Sequence, residues 1–263
     1  MALTQKGQYL LFLKTEKEEF KEWLFKQVIT RDIFRIQQHH EYSPDYEWFN
    51  EHKGDHFALL ENNRRYHIDT RGFIDIAQNL TTFPDGAIAV CRPLNVMPAG
   101  ITGANRGALC IENVGNFDSG GDIMTSDQED TIIWITALVC TRFKCSPNEN
   151  TVIYHHWYDP KTCPGTNFFG GNTMRTAQTN FYPLVIDEMT VNMKGMNLEQ
   201  AVAYLKKSGG LSSDNLWLTM GKRYKWLGEM LVDWANLHKS GQKIPYLDAL
   251  LGKFAVMAKD LSK

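Results

Sequence analysis

The sequence predicts an α/β fold, with strands alternating with helices, followed by a small all-helical C-terminal module. Three observations predict it. Two short apolar runs, "DIFRIQQ" and "NTVIY", lead directly into the histidine pairs His39-His40 and His155-His156. Between them, "TSDQEDTIIWITALVCTRF" carries apolar residues at helical spacing. Beyond "GTNFFGGNTMRTAQTNFYP" the pattern is helical throughout. Strand-type and helix-type periods in alternation are the mark of layered α/β structure.

In chain order, the amino terminus has only a short apolar patch, Tyr9 to Leu13, followed at once by charges and with no small-residue cleavage site. It does not read as a signal peptide, so the expectation is a chain made in the cytoplasm. "TEKEEFKEWLFKQV" places Phe20, Trp23, Leu24 and Val28 on one helical stripe. Ile33, Phe34 and Ile36 then suggest a short strand running into His39-His40, and "DGAIAVCRPL", "GALCIENVG" and "NTVIY" are further strands. Thr125 followed by Gln128 is a capping-box signature, and Ile132, Ile135, Val139 and Phe143 continue it as a helix.

The boundary is expected near residue 182, giving an α/β domain over 1–182 and a helical module over 183–263. In the module, Asn197 with Gln200 starts one helix and Gly209-Gly210 stops it. Tyr224, Leu227, Leu231, Trp234 and His238 mark a longer helix, and a last one follows Pro245.

Composition excludes some classes of function. With 263 residues and 43% hydrophobic content the chain can fill a core. A net charge of -2 and a pI near 6.4 leave no electrostatic footprint for nucleic acid. No apolar run reaches the roughly 18 residues that span a bilayer, so no membrane insertion is expected. Of the five cysteines, Cys91, Cys110, Cys140 and Cys145 lie mostly in apolar strings and are expected to be reduced core residues. Cys163 sits instead in "YHHWYDPKTCPG", a loop shaped by Pro160 and the Pro164-Gly165 turn, two residues after Lys161. A thiol so placed is expected to be a poor core filler and a good thiolate.

A catalytic zinc takes three protein ligands from His, Cys or carboxylate and leaves a fourth position open. His39 and His155, each just after a strand, can point at one sheet edge if those strands are neighbours, and Cys163 would close the triad. His52, His56, His67 and His238 are expected to be surface or helix-packing residues.

Four segments carry a family resemblance: "RIQQHHEYSP", "YHIDTRGFIDIAQNLTTFPDGAIAVCRPL", "NRGALCIENVGNFD" and "YHHWYDPKTCPGTNF". Together, over roughly residues 32 to 170, the chain resembles the zinc-dependent N-acetylmuramoyl-L-alanine amidases, a superfamily that includes phage lytic amidases and peptidoglycan-recognition proteins. The resemblance implies a mixed central sheet flanked by helices. It implies zinc held by His39, His155 and Cys163, with His40 and His156 in support. Lys161 matches the lysine facing the scissile carbonyl, and Glu112 matches a glutamate near the metal. The implied activity is hydrolysis of the amide between N-acetylmuramic acid and L-alanine in bacterial peptidoglycan, by a lytic or autolytic enzyme that reaches the wall through lysis or non-standard export. The alternative within the superfamily is a muropeptide-binding protein that does not cut, a class that commonly lacks the cysteine present here.

The chain also departs from the family pattern. Gln78 and Asn79 stand where many members have a tyrosine and a histidine, Gly100 where a histidine is frequent, and Glu41 where threonine or serine is common. Glu112 then carries more of the expected chemistry.

Overall fold

The amino-terminal segment, in which the sequence shows only an apolar patch, folds as a hairpin of β1 (Thr4–Lys6) and β2 (Tyr9–Phe12). With β3 (Arg35–His40), β4 (Leu80–Thr82), β5 (Ile88–Val90), β6 (Ala108–Asn113) and β7 (Val152–Tyr154) it builds one mixed sheet, in the order β1-β2-β5-β4-β6-β3-β7. The computed structural model describes residues 4–194, 198–209 and 214–239. The chain divides into two units, residues 1–189 and 190–263.

Pairing is antiparallel from β1 through β4 and parallel across β4-β6-β3-β7. Parallel strands need crossover connections, and α2 (Tyr46–Glu51), α3 (His56–Arg65) and α4 (Ser126–Phe143) lie on them. The hairpin of β4 and β5 turns at Asp85-Gly86, as its Asp-Gly dipeptide demands, with Gly86 at φ +80°. Strand β3 begins later than its apolar run suggests and carries both His39 and His40 inside the sheet, whereas Phe34, at 48% exposure, stays outside.

Side chains alternate between faces along each strand, and laterally paired residues share a face. One face collects Phe12, Ile36, Leu80, Ile88, Leu109 and Ile111 under α4 and α1 (Lys17–Lys26), whose Phe20 and Leu24 are fully buried. Val28, expected on the same helical stripe, lies beyond the helix end and is 79% exposed. The other face runs Leu11, Ala89, Thr81, Glu112 and His39 in register. There Phe49 of α2 and Leu59 and Leu60 of α3 pack on Tyr9, Leu11 and Ala89. Glu112 and His39 belong to the same face at the carboxyl ends of β6 and β3.

Thr125 caps α4 by accepting the backbone N–H of Gln128, but the reciprocal half of the capping box does not form. The Gln128 amide donates instead to the carbonyls of Thr82 and Val114 and accepts from the Tyr46 hydroxyl, while Tyr46 Oη receives the Thr125 N–H. The Val114 carbonyl, buried at the sheet end, gains a donor it would otherwise lack, while the Thr82 carbonyl already holds the Val114 N–H.

Asn113 is the hub of a second buried polar cluster. Its amide donates to Gln38 Oε1 at 3.1 Å and to the His39 carbonyl at 2.6 Å, and accepts from the Thr82 hydroxyl at 2.8 Å. Gln38 in turn donates to Thr136 of α4 at 2.8 Å.

After β7, α5 (Met174–Thr176) and a π-helical turn, Ala177–Phe181, lead into α6 (Tyr182–Lys194). The boundary expected at 182 falls at the head of α6, and Tyr182 and Val185 are buried in the first unit's core. Tyr182 donates its hydroxyl to the Val152 carbonyl at 2.7 Å.

The second unit contains α7 (Leu198–Gly209), α8 (Asp214–Arg223) and α9 (Lys225–Lys239). Ala201, Val202, Leu205, Trp217, Leu227 and Leu231 form its core. Helix α8 was not apparent in the sequence pattern, and Gly221 and Gly228 let it turn tightly into α9: a Cβ on Gly228 would lie 2.7 Å from the Gly221 carbonyl oxygen. The expected start at Asn197, the stop at Gly210 and the helix after Pro245 fall outside the described residues, as does the side chain of His238. No helix among the described residues is long and apolar enough to cross a membrane.

Asn113→Leu should leave Gln38 Oε1 unpaired in the core and remove one partner each from the His39 carbonyl and from the Thr82 hydroxyl, which keeps the Gln128 amide. The expected loss is about 3 kcal/mol, at the 1–3 kcal/mol that each buried unsatisfied group costs. It should appear as a lower urea midpoint at unchanged m value.

Candidate metal centre

Among the described residues, one group of His, Cys and carboxylate side chains is close enough to hold a metal ion: His39, His155 and Cys163, whose donor atoms lie within 4.8 Å of one another. Each arrives by a different route. His39 is the fifth residue of β3 and its alternation points it to the face that bears Glu112. His155 follows β7 directly, and β7 pairs with β3, so the two imidazoles meet with ring centroids 4.7 Å apart. Cys163 comes from the loop that follows. Its Sγ lies 3.5 Å from His39 Nδ1 and accepts the His40 backbone N–H at 3.4 Å.

The loop is held shut by its own backbone and by one acid. The His156 N–H donates to the Cys163 carbonyl at 2.7 Å, and His156 Nδ1 pairs with the Lys161 carbonyl, so His156 supports the loop and lies outside the donor group. Asp118 accepts from Thr162 Oγ1 at 2.8 Å and from the Thr166 N–H at 2.9 Å. Gly165, at φ +118°, passes so close to Phe117 that a Cβ would sit 2.4 Å from its carbonyl oxygen. His40 points to the opposite face from His39, where its Nδ1 accepts the Phe117 N–H at 3.1 Å.

Cys163 is 8% exposed, contrary to the expectation of a loop thiol poorly suited to a core. Burial, with the Glu112 carboxylate next, pushes its thiol well above the ordinary range, so it is not a ready thiolate by itself. The loop folds inward, and Lys161, whose ammonium opposes this shift, keeps 48% of its side chain in solvent. Burial, the neighbouring imidazoles of His155 and His40, and Lys161 hold His39 far below its ordinary value. Burial first and Lys161 second bring His155 to about 4. Burial also raises the Glu112 carboxyl, the Glu41 carboxylate adds to this, and Lys161 opposes it. Asp159 stands between the two bases of the loop, its Oδ2 3.8 Å from His155 Nε2 and 3.6 Å from Lys161 Nζ.

These features suit a metal. Two imidazoles kept neutral and one sulfur form a donor set typical of catalytic zinc. The separation of 3.5 Å between His39 Nδ1 and Cys163 Sγ matches the edge of about 3.6 Å of a tetrahedron with zinc bonds of about 2.0–2.3 Å. A divalent ion would also offset what burial imposes on Cys163 and Glu112.

The other histidines pack as expected. His52 stacks on Trp48, His56 pairs with Asp85 at 2.8 Å, and His67 stacks on Phe73. Cys91, Cys110, Cys140 and Cys145 are buried free thiols. Gln78 donates to Thr81 inside the sheet, and the Asn79 amide closes the 92–96 loop, so neither supplies the chemistry of the residues they replace. A cleft of about 750 Å³ between the β1-β2 turn and α3, lined by Lys6, Trp48, Phe57 and Arg64, shares no residue with the donor group.

A mixed sheet with two imidazoles and a thiol gathered at its strand ends defines the chain as an α/β domain with a candidate metal centre. The chain belongs to the N-acetylmuramoyl-L-alanine amidase family, whose sequence model matches residues 30–166. It is similar to peptidoglycan-recognition protein SC2 of Drosophila melanogaster, at 30% identity over 118 residues, covering 44% of this chain and 61% of that protein. The chain thus spans under two thirds of the length of this curated relative. Solved structures resembling it include the N-acetylmuramoyl-L-alanine amidase LysC from Clostridium intestinale URNW, at 21% identity and a TM-score of 0.43, covering 52% of this chain and 80% of that one. Drosophila PGRP-LB is similar at 19% identity and a TM-score of 0.46, covering 58% and 84%. Human PGRP-IBETAC in complex with glycosamyl muramyl pentapeptide is similar at 18% and 0.46, covering 57% and 85%.

The clamp made by His40 is acid-sensitive. Burial lowers its value from 6.5 to about 4, so the folded chain holds it neutral where the unfolded chain protonates it. Between pH 6.5 and 4 the unfolded state binds the extra proton, and this part of the stability is lost as pH falls. The buried carboxyls of Glu41 and Glu112 act in the opposite sense, because their folded values are raised. The difference between wild type and His40→Asn isolates the imidazole: in urea titrations of metal-free protein, the wild-type advantage should shrink steadily from pH 6.5 to 4. A constant difference would show that His40 titrates normally.

Proposed function

We propose that the chain is a zinc-dependent N-acetylmuramoyl-L-alanine amidase that cleaves the bond between N-acetylmuramic acid and L-alanine in bacterial peptidoglycan. The observation that carries this reading is the convergence of His39, His155 and Cys163 at the end of the sheet, with Glu112 opposite His39 in register. His39, His155 and Cys163 would hold the ion. When bound, zinc supplies Lewis-acid polarisation of a carbonyl and lowers the pKa of a coordinated water.

The chain's own groups do the rest. Burial raises the Glu112 carboxyl and the Lys161 ammonium opposes that shift; a bound cation would further favour the carboxylate that a general base requires. In this reading Glu112 takes the proton of the attacking water and returns it to the leaving amine. The Lys161 ammonium, close enough to oppose the Glu112 shift, faces the negative charge developing on the scissile carbonyl oxygen. Asp159 draws Lys161 toward the imidazole side of the site.

The wall is the proposed place of action, reached by lysis or non-standard export, and the second unit would add another attachment to the polymer, raising local concentration. A second reading, a muropeptide-binding protein that does not cut, draws on Gln78, which occupies the place of a family tyrosine and is turned into the sheet.

Digestion of purified peptidoglycan separates the two. The protein should carry about one zinc per chain and release new L-alanine amino termini, and a chelator should abolish the release. Glu112→Gln should keep its zinc and its fold while turnover falls about 10²-fold or more. Binding of muropeptides with no new amino termini would establish the second reading instead.

The second unit has its own test. A chain ending after residue 194, which preserves Tyr182 and Val185, should cleave soluble muropeptides at the full-length rate and lose activity on intact walls. Equal losses on both substrates would remove the targeting role.

A further inference from the structure

Two buried polar atoms near the metal centre have no hydrogen-bond partner: His39 Nε2 and Gln37 Oε1. They are complementary, because one ring nitrogen of a neutral imidazole carries a proton and an amide oxygen only accepts. They also share one small space. A Cβ built on Gly100 would lie 2.9 Å from His39 Nε2 and 2.4 Å from Gln37 Oε1. Both atoms thus lie against the same side of the residue 100 backbone, where any side chain larger than hydrogen would collide with them.

The Gln37 amide is already oriented. Its nitrogen donates to the Ala104 carbonyl at 3.1 Å and to Asn105 Oδ1 at 3.2 Å. Asn105 Oδ1 also receives the backbone N–H groups of Gly100 at 3.0 Å and Ile101 at 2.9 Å. With the nitrogen committed on that side, Oε1 is the only free end of the amide. Gln37 and His39 are two residues apart on β3 and therefore on the same face.

We propose that Gln37 is a positioning residue for His39: its Oε1 accepts the Nε2–H, directly or through one water, and so holds His39 in the tautomer whose unprotonated Nδ1 faces Cys163. The inference rests on the zinc reading above, and it assigns the second contact of the first ligand. Metal-bound histidines commonly donate their other N–H to an oxygen acceptor, which sets tautomer and ring orientation. Removing that acceptor typically costs 10–100-fold in metal affinity. Asn105 and Gly100 enter the same device, one aligning the amide and the other leaving room for the contact.

The test uses the full chain. Nitrogen-15 spectra of zinc-free wild type should show His39 as the Nε2–H tautomer, and a Nδ1–H tautomer would overturn the proposal without any mutation. Gln37→Met, similar in shape but lacking the acceptor, should mix the tautomers and weaken zinc about 10- to 100-fold in competition with a chromogenic chelator. Gln37→Glu keeps the acceptor oxygen but loses the donor to the Ala104 carbonyl and Asn105 Oδ1, so recovery of the Nε2–H tautomer there would assign the effect to the oxygen alone. Wild-type tautomer and affinity in Gln37→Met would make Gln37 a packing residue only. Absence of zinc from wild type would sink the metal reading itself, a failure separable from the tautomer result.

Discussion

The parallel pairing of β3 with β6, in a register that sets His39 opposite Glu112 and His40 opposite Asn113, is the constraint on which the rest of this protein depends. Strand side chains alternate, so a slip of one residue would exchange the two faces and send His39 into the apolar layer under α4. The cost of such a slip is concentrated in Asn113, whose amide ties Gln38, the His39 carbonyl and Thr82 to one arrangement. Adjacent histidines consequently do unrelated work. His39 faces Cys163, whereas His40 supports Phe117 on the other side of the sheet.

Once register is set, burial controls the chemistry. The same desolvation that keeps His39 and His155 neutral raises Cys163 and Glu112, so the pocket favours uncharged forms throughout. Nitrogen donors are thereby ready for a cation, while the thiol needs one nearby to lose its proton. Lys161, half in solvent on the closing loop, is the positive charge that touches this balance in each of the four shifts. The loop's attachment through Asp118 to Thr162 and Thr166 thus bears directly on the proton inventory of the site.

Particular residues show how far local pattern reaches. Thr125 acts as the helix cap that its spacing announces, but Gln128, its expected partner, is drawn away by carbonyls of β4 and of the segment after β6. Val28 continues an apolar stripe on paper and stands in solvent because α1 ends at Lys26. The β1-β2 hairpin leaves no periodic mark in the sequence because three- and four-residue strands carry too few alternations, and only pairing with β5 gives them a place. Gln37 looks like an ordinary polar strand residue until the 100–105 loop is folded against it.

By itself the sequence determined the class of fold, the helices with strong stripes and caps, the separate helical module, and the identities of His39, His155 and Cys163 as the group to watch. Those properties are local, since they depend on residue type, spacing and turn chemistry within a few residues. Tertiary structure alone decided that Cys163 is buried, that His40 and His156 are supports for the closing loop, and that His39 and Gln37 both lie against the backbone of Gly100. Each of these depends on strands and loops far apart in the chain meeting at fixed distances, and no short window of sequence contains a distance of that kind.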